Sequence, residues 1–226
     1  MRVRLEEHGP EVSFVIADVE PALTDAVRAL AFRPDGDGTF RQTYPAGYPA
    51  MDRIFANFER CIEPLVLQKA RLLPVPWERA LRTFCETVAG HDVDWWLTGS
   101  AALAVRGIAV APGDLDLNVG RESAAEVERL MLGYLIEPPR PGFISDTFTR
   151  SFPDACVEWC AGIDERADAH MIGDVGLTAQ GRLETVEWQG FSIRVPPLDL
   201  QLVVNEARGL TDRVGLIQRA LTGTTR

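Results

Sequence analysis

The segment Trp95–Val119 constrains the fold of this chain more than any other. It joins two short apolar runs, the first ending in Gly99-Ser100 and the second carrying Asp114 and Asp116. Positions i and i+2 of a strand share one face, with Cα atoms about 6–7 Å apart. Two carboxylates placed in this way can share a hard cation. The small pair that precedes a short helical segment leaves room for backbone N–H groups to reach a phosphate.

The order of these features resembles the DNA polymerase β-type nucleotidyltransferase superfamily. It is most similar to small bacterial members, the antibiotic nucleotidyltransferases and the toxins of abortive-infection and toxin–antitoxin systems. The matching positions are Gly99, Ser100, Ala102, Leu103, Gly107, Asp114, Leu115, Asp116 and Leu117. The resemblance covers about residues 77–215. It implies an α/β (α+β) nucleotidyltransferase fold, with a mixed sheet flanked by helices.

Members of this superfamily add a third carboxylate from a later strand, and Glu158 fits that position best. The resemblance therefore implies that Asp114, Asp116 and Glu158 are catalytic residues and metal ligands. Carboxylates that converge repel one another and have raised pKa values unless cations bind, so we expect Mg²⁺, or Mn²⁺, at this site. Glu158 can also be interpreted as an edge-strand residue facing water. Three other acids are alternatives for the third position: Asp154, Asp164 and Glu165.

The resemblance also implies that Gly99 and Ser100 contact a nucleotide phosphate and that Arg208 or Arg213 binds the triphosphate. A guanidinium is a good phosphate partner. Each feature has a simpler interpretation. Ser100 can be an ordinary helix N-cap, and the arginines can be exposed residues at a helix end.

The chain departs from the family pattern at two places. Many members carry Arg and Thr just before the paired aspartates, where this chain has Val110 and Pro112. Many also carry a lysine on the penultimate helix, where this chain reads Val203-Val204-Asn205-Glu206. These two departures are compatible with an unusual nucleotide donor, or with a protein that keeps the fold but has lost catalysis.

The implied reaction is in-line transfer of NMP from an NTP to a hydroxyl acceptor, assisted by two metal ions about 3.5–4 Å apart. With 23 basic and 33 acidic residues, the chain has a net charge of −10, which makes long nucleic acid an unlikely partner. A small-molecule or protein acceptor is favoured. The alternatives are a non-catalytic binding or regulatory module and a toxin-type enzyme acting on tRNA. A basic groove favouring tRNA would draw on four arginines: Arg106, Arg121, Arg150 and Arg182.

The domain prediction places a small N-terminal α/β unit of unknown role at residues 1–72 and a nucleotidyltransferase-like domain at residues 73–226. The Pro-rich segment Leu72–Pro76 is the expected linker, and Pro64 is a candidate kink in a helix over residues 50–71. The charged N-terminus lacks a signal-peptide core, and no run reaches the roughly 18–20 apolar residues of a membrane span. We therefore expect a cytoplasmic protein without a membrane segment.

Overall fold

The structure, a computed structural model, describes residues 1–164 and 173–223. The strands run over β1 Arg2–His8, β2 Glu11–Ala17, β3 Arg33–Pro34, β4 Phe40–Pro45, β5 Trp95–Thr98, β6 Leu115–Val119, β7 Ser145–Ser151, β8 Val157–Ile163, β9 Glu184–Trp188 and β10 Phe191–Val195. The α-helices run over α1 Thr24–Ala29, α2 Met51–Lys69, α3 Trp77–Val88, α4 Gly99–Val105, α5 Ala124–Met131, α6 Leu177–Gln180, α7 Leu198–Ala207 and α8 Thr211–Leu221.

The N-terminal residues form an antiparallel sheet in the order β1-β2-β4-β3, and helix α2 packs on it. The apolar positions of α2 recur at helical spacing, so one face is buried. On that face Phe58 lies 4.9 Å from Phe14 of β2, measured between ring centroids. Pro64 lies inside α2, and the helix continues past it to Lys69.

The second large sheet has the order β5-β6-β8-β7 and is mixed. Strand β6 is antiparallel to β5 and parallel to β8, and β7 is antiparallel to β8. This confirms the expected α/β architecture with a mixed sheet. Strand β7 was not expected from the sequence, because Ser145–Ser151 is largely polar and lacks an apolar run. Strands β9 and β10 form a separate antiparallel pair towards the C-terminus.

A single hydrophobic cluster includes residues on both sides of residue 72. Polar contacts also cross this boundary. The side-chain amide of Asn57 donates to the carbonyl oxygens of Leu132, at 3.3 Å, and Leu135, at 2.9 Å. Near the end of α2, Gln68 donates to the carbonyl of Asp154 at 3.0 Å. The position of α2 is thereby fixed against the second sheet, while separate folding of residues 1–72 stays a prediction. Among the described helices, none combines the length and apolarity needed to cross a bilayer.

Candidate active site

Four polar residues form one register row across the mixed sheet. Asp116 of β6 is paired with Thr98 of β5 on one side and with Glu158 of β8 on the other. Glu158 is paired in turn with Arg150 of β7. Residues in register on neighbouring strands point to the same face, so the two carboxylates are adjacent. Asp114 lies two residues before Asp116, immediately before β6, and completes the acidic cluster.

Gly99 makes the turn from β5 into α4 beside this cluster. Its φ of +62° is in the left-handed region, which favours glycine. A Cβ atom at this position would collide with the carboxylate of Asp116. The side chain of Gln201 holds the turn by donating to the Gly99 carbonyl at 3.1 Å. Glycine is therefore required here both by backbone conformation and by the close approach of Asp116.

Lys69, the last residue of α2, enters the acidic cluster from the N-terminal part of the chain. Its Nζ lies 2.5 Å from Asp114 Oδ2 and 3.9 Å from Glu158 Oε1. It is the only lysine among the 226 residues. This residue was not predicted from the sequence, although Lys69 continues the buried i, i+4 series of Cys61 and Leu65. A lysine on the apolar stripe of a helix was the available signal.

A second cation, Arg150, is buried next to Glu158 and bonded to it. Its Nε donates to Glu158 at 2.9 Å, and its Nη1 donates to Glu137 at 2.6 Å and to the Leu30 carbonyl at 3.0 Å. Only 7% of the Arg150 side chain and 2% of the Glu137 side chain are exposed. Buried charges of this kind require partners, and Arg150 has three. It acts as a permanent counter-ion of Glu158 and is closed to a ligand.

The electrostatics differ between the two paired carboxylates. Burial, followed by the charges of Asp114 and Glu158, raises the pKa of Asp116 to about 7, although Lys69 opposes this shift. Burial acts in the same direction on Glu158, but Arg150 and then Lys69 bring its pKa below the ordinary value. The pKa of Lys69 is raised, because its acidic neighbours outweigh burial, which alone would lower it. Of these two carboxylates, Asp116 is therefore the one whose negative charge is compensated less by neighbouring cations.

An open cleft of about 560 Å³ lies over Asp114 and Asp116. A volume in this range is typical of small-molecule sites. The turn residues Gly99 and Ser100 line it together with four cationic side chains: Lys69, Arg71, Arg208 and Arg213. Within the residues that the structure describes, the three arginines of this cleft have no ion pair. The cleft is therefore suited to a polyanion held above two carboxylates.

A smaller cavity of about 140 Å³ adjoins the cleft and is lined by Asp116, Glu158 and Arg208. Asp174 also lines it, and its buried Oδ1 atom has no hydrogen-bond partner among the described residues. Burial raises the pKa of Asp174, although Arg208 opposes the shift. Sequence reasoning did not single out Asp174. Asp116 faces both spaces, and Arg208 lies between them.

The other predicted acids are placed elsewhere. Asp154 forms an ion pair with Arg79 at 3.2 Å and lines neither space. Asp164 lies in a cleft beyond the other end of β8. Glu165 lies outside the described residues. Glu158 is therefore the candidate third carboxylate that the structure brings to Asp114 and Asp116.

The four arginines considered for a tRNA groove are each paired with carboxylates. Arg106 pairs with Glu184, Arg121 with Asp146 and Arg182 with Asp199, while Arg150 is buried as described above. They do not form an unpaired basic surface.

The acidic cluster offers the type of ligand atom that Mg²⁺ binds. Asp114, Asp116 and Glu158 supply carboxylate oxygens, the ligand type that Mg²⁺ prefers, and the raised pKa of Asp116 marks negative charge that a cation would balance. However, across residues 1–164 and 173–223 no three acidic, histidine or cysteine side chains are already arranged around a metal position. The ammonium group of Lys69 is in contact with Asp114, at 2.5 Å. The residues thus fit a divalent cation in chemistry, with Lys69 as the competing charge.

No protein-family model matches the chain, and no curated protein matches it. Among solved structures, the chain is similar to a Thermotoga maritima protein described as a putative nucleotidyltransferase, with 20% sequence identity and a TM-score of 0.49. The match covers 67% of this chain and 96% of the other.

Proposed function

We propose that this protein is a divalent-metal-dependent nucleotidyltransferase that transfers NMP from an NTP to a hydroxyl acceptor. The observation that carries this proposal is the juxtaposition of three carboxylates with a cation-lined cleft. Asp114 and Asp116 form the floor of the cleft, and Glu158 is their neighbour on the parallel strand. A nucleoside triphosphate has the charge that such a cleft accommodates.

The residues divide the task between them. Asp114, Asp116 and Glu158 would hold Mg²⁺ or Mn²⁺, which when bound supplies Lewis-acid stabilisation and activates the acceptor hydroxyl. Arg208 and Arg213 would neutralise phosphate oxygens. In the reaction, the acceptor hydroxyl releases its proton to solvent and its oxygen bonds to the α-phosphorus, while the bond from this phosphorus to the α,β-bridging oxygen breaks and pyrophosphate leaves.

Gly99 and Ser100 would line the phosphate position. Because Gly99 has no side chain, the backbone of the turn approaches Asp116 closely, and a phosphate can lie against both. The resemblance of this turn to the superfamily motif supports the same assignment. We favour a small-molecule or protein acceptor, in keeping with the acidic chain.

Calorimetry with each of the four NTPs and Mg²⁺ tests the proposal before an acceptor is known. Wild-type protein should bind at least one NTP, and Asp116→Asn should lose metal-dependent binding and nearly all transfer while remaining folded, because the amide lacks the charge that a hard cation requires. Asp25→Asn is the matched control, since this carboxylate is exposed and lies on α1, away from the cleft. Its binding should equal that of wild type.

One observation favours a second candidate, a non-catalytic binding or regulatory module. Lys69 neutralises Asp114 without any metal, as would suit a site that has lost the need for one. Absence of binding for all four NTPs with either Mg²⁺ or Mn²⁺ would support this candidate. Tight metal-dependent binding that Asp116→Asn abolishes would exclude it.

A further inference from the structure

The two cations that contact the carboxylate cluster differ in their freedom to move. Arg150 is held by Glu158, Glu137 and a backbone carbonyl, and only 7% of its side chain is exposed. Among the described residues, Lys69 Nζ makes its polar contacts with the carboxylate cluster, and its side chain lines the open cleft. Lysine also carries its charge on a flexible four-carbon stem, whereas the planar guanidinium of arginine is rigid. Lys69 can therefore leave its position without disturbing the sheet.

A divalent cation bound by the Asp114 carboxylate would lie close to the ammonium group of Lys69. The ammonium group is 2.5 Å from Asp114 Oδ2, and two positive charges on one carboxylate repel each other strongly. Metal binding therefore favours displacement of Lys69. In the absence of another anion, the displaced ammonium would lose its partners while still half-buried, which costs free energy.

A triphosphate in the cleft would remove this cost. The cleft is lined by Lys69 itself and by Arg71, Arg208 and Arg213, so a polyanion there would lie within the environment that the lysine already faces. The ammonium could then exchange a carboxylate partner for a phosphate partner. The chain has 22 arginines and this single lysine, so the one flexible, compact cation lies where exchange is required.

We infer that Lys69 is a displaceable counter-cation that stays on Asp114 until a divalent cation and a nucleotide bind together, and that it then transfers to the phosphates. Lys69 is thus a positioning residue that makes metal binding and nucleotide binding depend on each other. By linkage, each ligand should strengthen the binding of the other by the same factor. This inference rests on the proposed function.

The first test measures Mn²⁺ affinity by electron paramagnetic resonance of the free ion at pH 8, with and without an NTP. Wild-type protein should bind Mn²⁺ weakly alone and about tenfold more tightly with nucleotide, since one charge-assisted hydrogen bond must break in the free protein. Lys69→Met should bind Mn²⁺ about tenfold more tightly than wild type without nucleotide and should lose the enhancement. Arg129→Met is the matched control, because Arg129 pairs with Glu126 at 2.7 Å on an exposed surface and does not line the cleft. It should keep the wild-type Mn²⁺ affinity and the enhancement.

The second test uses wild-type protein and so does not depend on the folding of a variant. Protein labelled with ¹⁵N-lysine should give one side-chain ammonium signal, from Lys69. The signal should move little on addition of an NTP without metal and strongly on addition of NTP with Mg²⁺.

The outcomes separate the inference from the proposed function. If Lys69→Met binds Mn²⁺ no more tightly than wild type, or if the lysine signal is unchanged while calorimetry shows metal-dependent NTP binding, Lys69 is not displaced and only the inference fails. If wild-type protein binds neither Mn²⁺ nor NTP under any of these conditions, the inference and the proposed function fail together.

Discussion

The two large sheets of the molecule differ in where they place charge. In the N-terminal sheet, charged residues lie at exposed edges and pair in contact with water, as Arg41 does with Glu6 and Asp35. In the mixed sheet, Glu158 and Arg150 face each other inside the row that runs across the strands. The cause is topological. Every strand pair of the N-terminal sheet is antiparallel, whereas β6 and β8 are parallel and bring two carboxylates into register.

In this molecule, the carboxylates at the parallel strand pair are accompanied by cations from other parts of the chain. Adjacent buried carboxylates are unfavourable by themselves. Arg150 supplies a fixed positive charge, and Lys69 supplies a second one from the N-terminal part of the chain. The N-terminal sheet has no comparable need, and its ion pairs contribute little to stability.

The largest expected effect contrasts the ion pairs of the two sheets. Arg150→Met leaves the buried Glu137 with only its longer ion pair to Arg140, at 3.8 Å, and should lower the free energy of unfolding by about 3–5 kcal/mol. Arg41→Met removes ion pairs that remain in contact with water and should cost about 1 kcal/mol or less. Chemical denaturation of both variants measures the difference. Equal losses of unfolding free energy in the two variants would show that the buried ion pairs of Arg150 contribute no more to stability than the water-exposed ion pairs of Arg41.

The next effect contrasts two glycines of nearly equal backbone conformation. Gly9, in the turn between β1 and β2, has a φ of +61°, and Gly99 has a φ of +62°. Alanine should cost about 1–2 kcal/mol at either position for the left-handed conformation. At Gly99 the added Cβ also collides with Asp116, which should cost a further 1–3 kcal/mol or so, whereas nothing lies within 4 Å at Gly9.

Denaturation of Gly9→Ala and Gly99→Ala measures this excess. Binding measurements should show that only Gly99→Ala impairs metal-dependent NTP binding. If both variants lose the same stability and both keep binding, the close approach at Gly99 has no role in shaping the site.

The smallest effect is in the pH dependence of stability without metal. The pKa of Asp116, about 7, lies above the value of about 3.9 for an unfolded aspartate. The folded form therefore holds a proton that the unfolded form releases, and this contribution weakens wild-type protein as the pH rises from about 4 to about 7. Asp116→Asn lacks this proton, so its thermal midpoint relative to wild type should rise by a few degrees across that range.

Glu6→Gln in the N-terminal sheet provides the opposite sign. Hydrogen bonds from Arg4 and then Arg41 lower the pKa of Glu6 to about 2. Ionised Glu6 therefore stabilises the folded protein at any pH above the pKa of an unfolded glutamate. This contribution is lost as the pH falls through the lower pKa that Glu6 has in the folded protein. The Gln variant should therefore be weaker than wild type at pH 7 and approach it towards pH 2. The contrast would be contradicted if the stability of Glu6→Gln relative to wild type rose with pH while that of Asp116→Asn stayed constant.

Features encoded within a short stretch of sequence could be predicted. The pair Asp114 and Asp116, the turn at Gly99 and the helix after it lie within 25 residues, and their alternation and spacing are local properties. Glu158 could be placed because its strand alternates clearly and the family resemblance requires a third acid. The roles of these residues stay proposals, while their arrangement around one edge of the mixed sheet is observed.

The cations could not be predicted, because their partners are fixed by packing between distant elements. The stripe of α2 showed that Lys69 belongs to a buried face, yet nothing local indicated that this face ends at Asp114. Arg150 was hidden further, since β7 is polar and gave no strand pattern of its own. Strand β7 forms because β8 offers it an edge, which is a tertiary property.

The wide sequence separation of the site's contacts also has a consequence for how the molecule folds. Lys69 and Asp114 are 45 positions apart, and the bond from Arg150 to the Leu30 carbonyl spans 120 positions. Contacts between such distant positions carry a large loop-closure entropy and form after local helices and hairpins. The carboxylates are therefore neutralised only when α2, β6 and β7 have all come together. During refolding, the ability to bind a divalent cation should return last, well after the secondary structure.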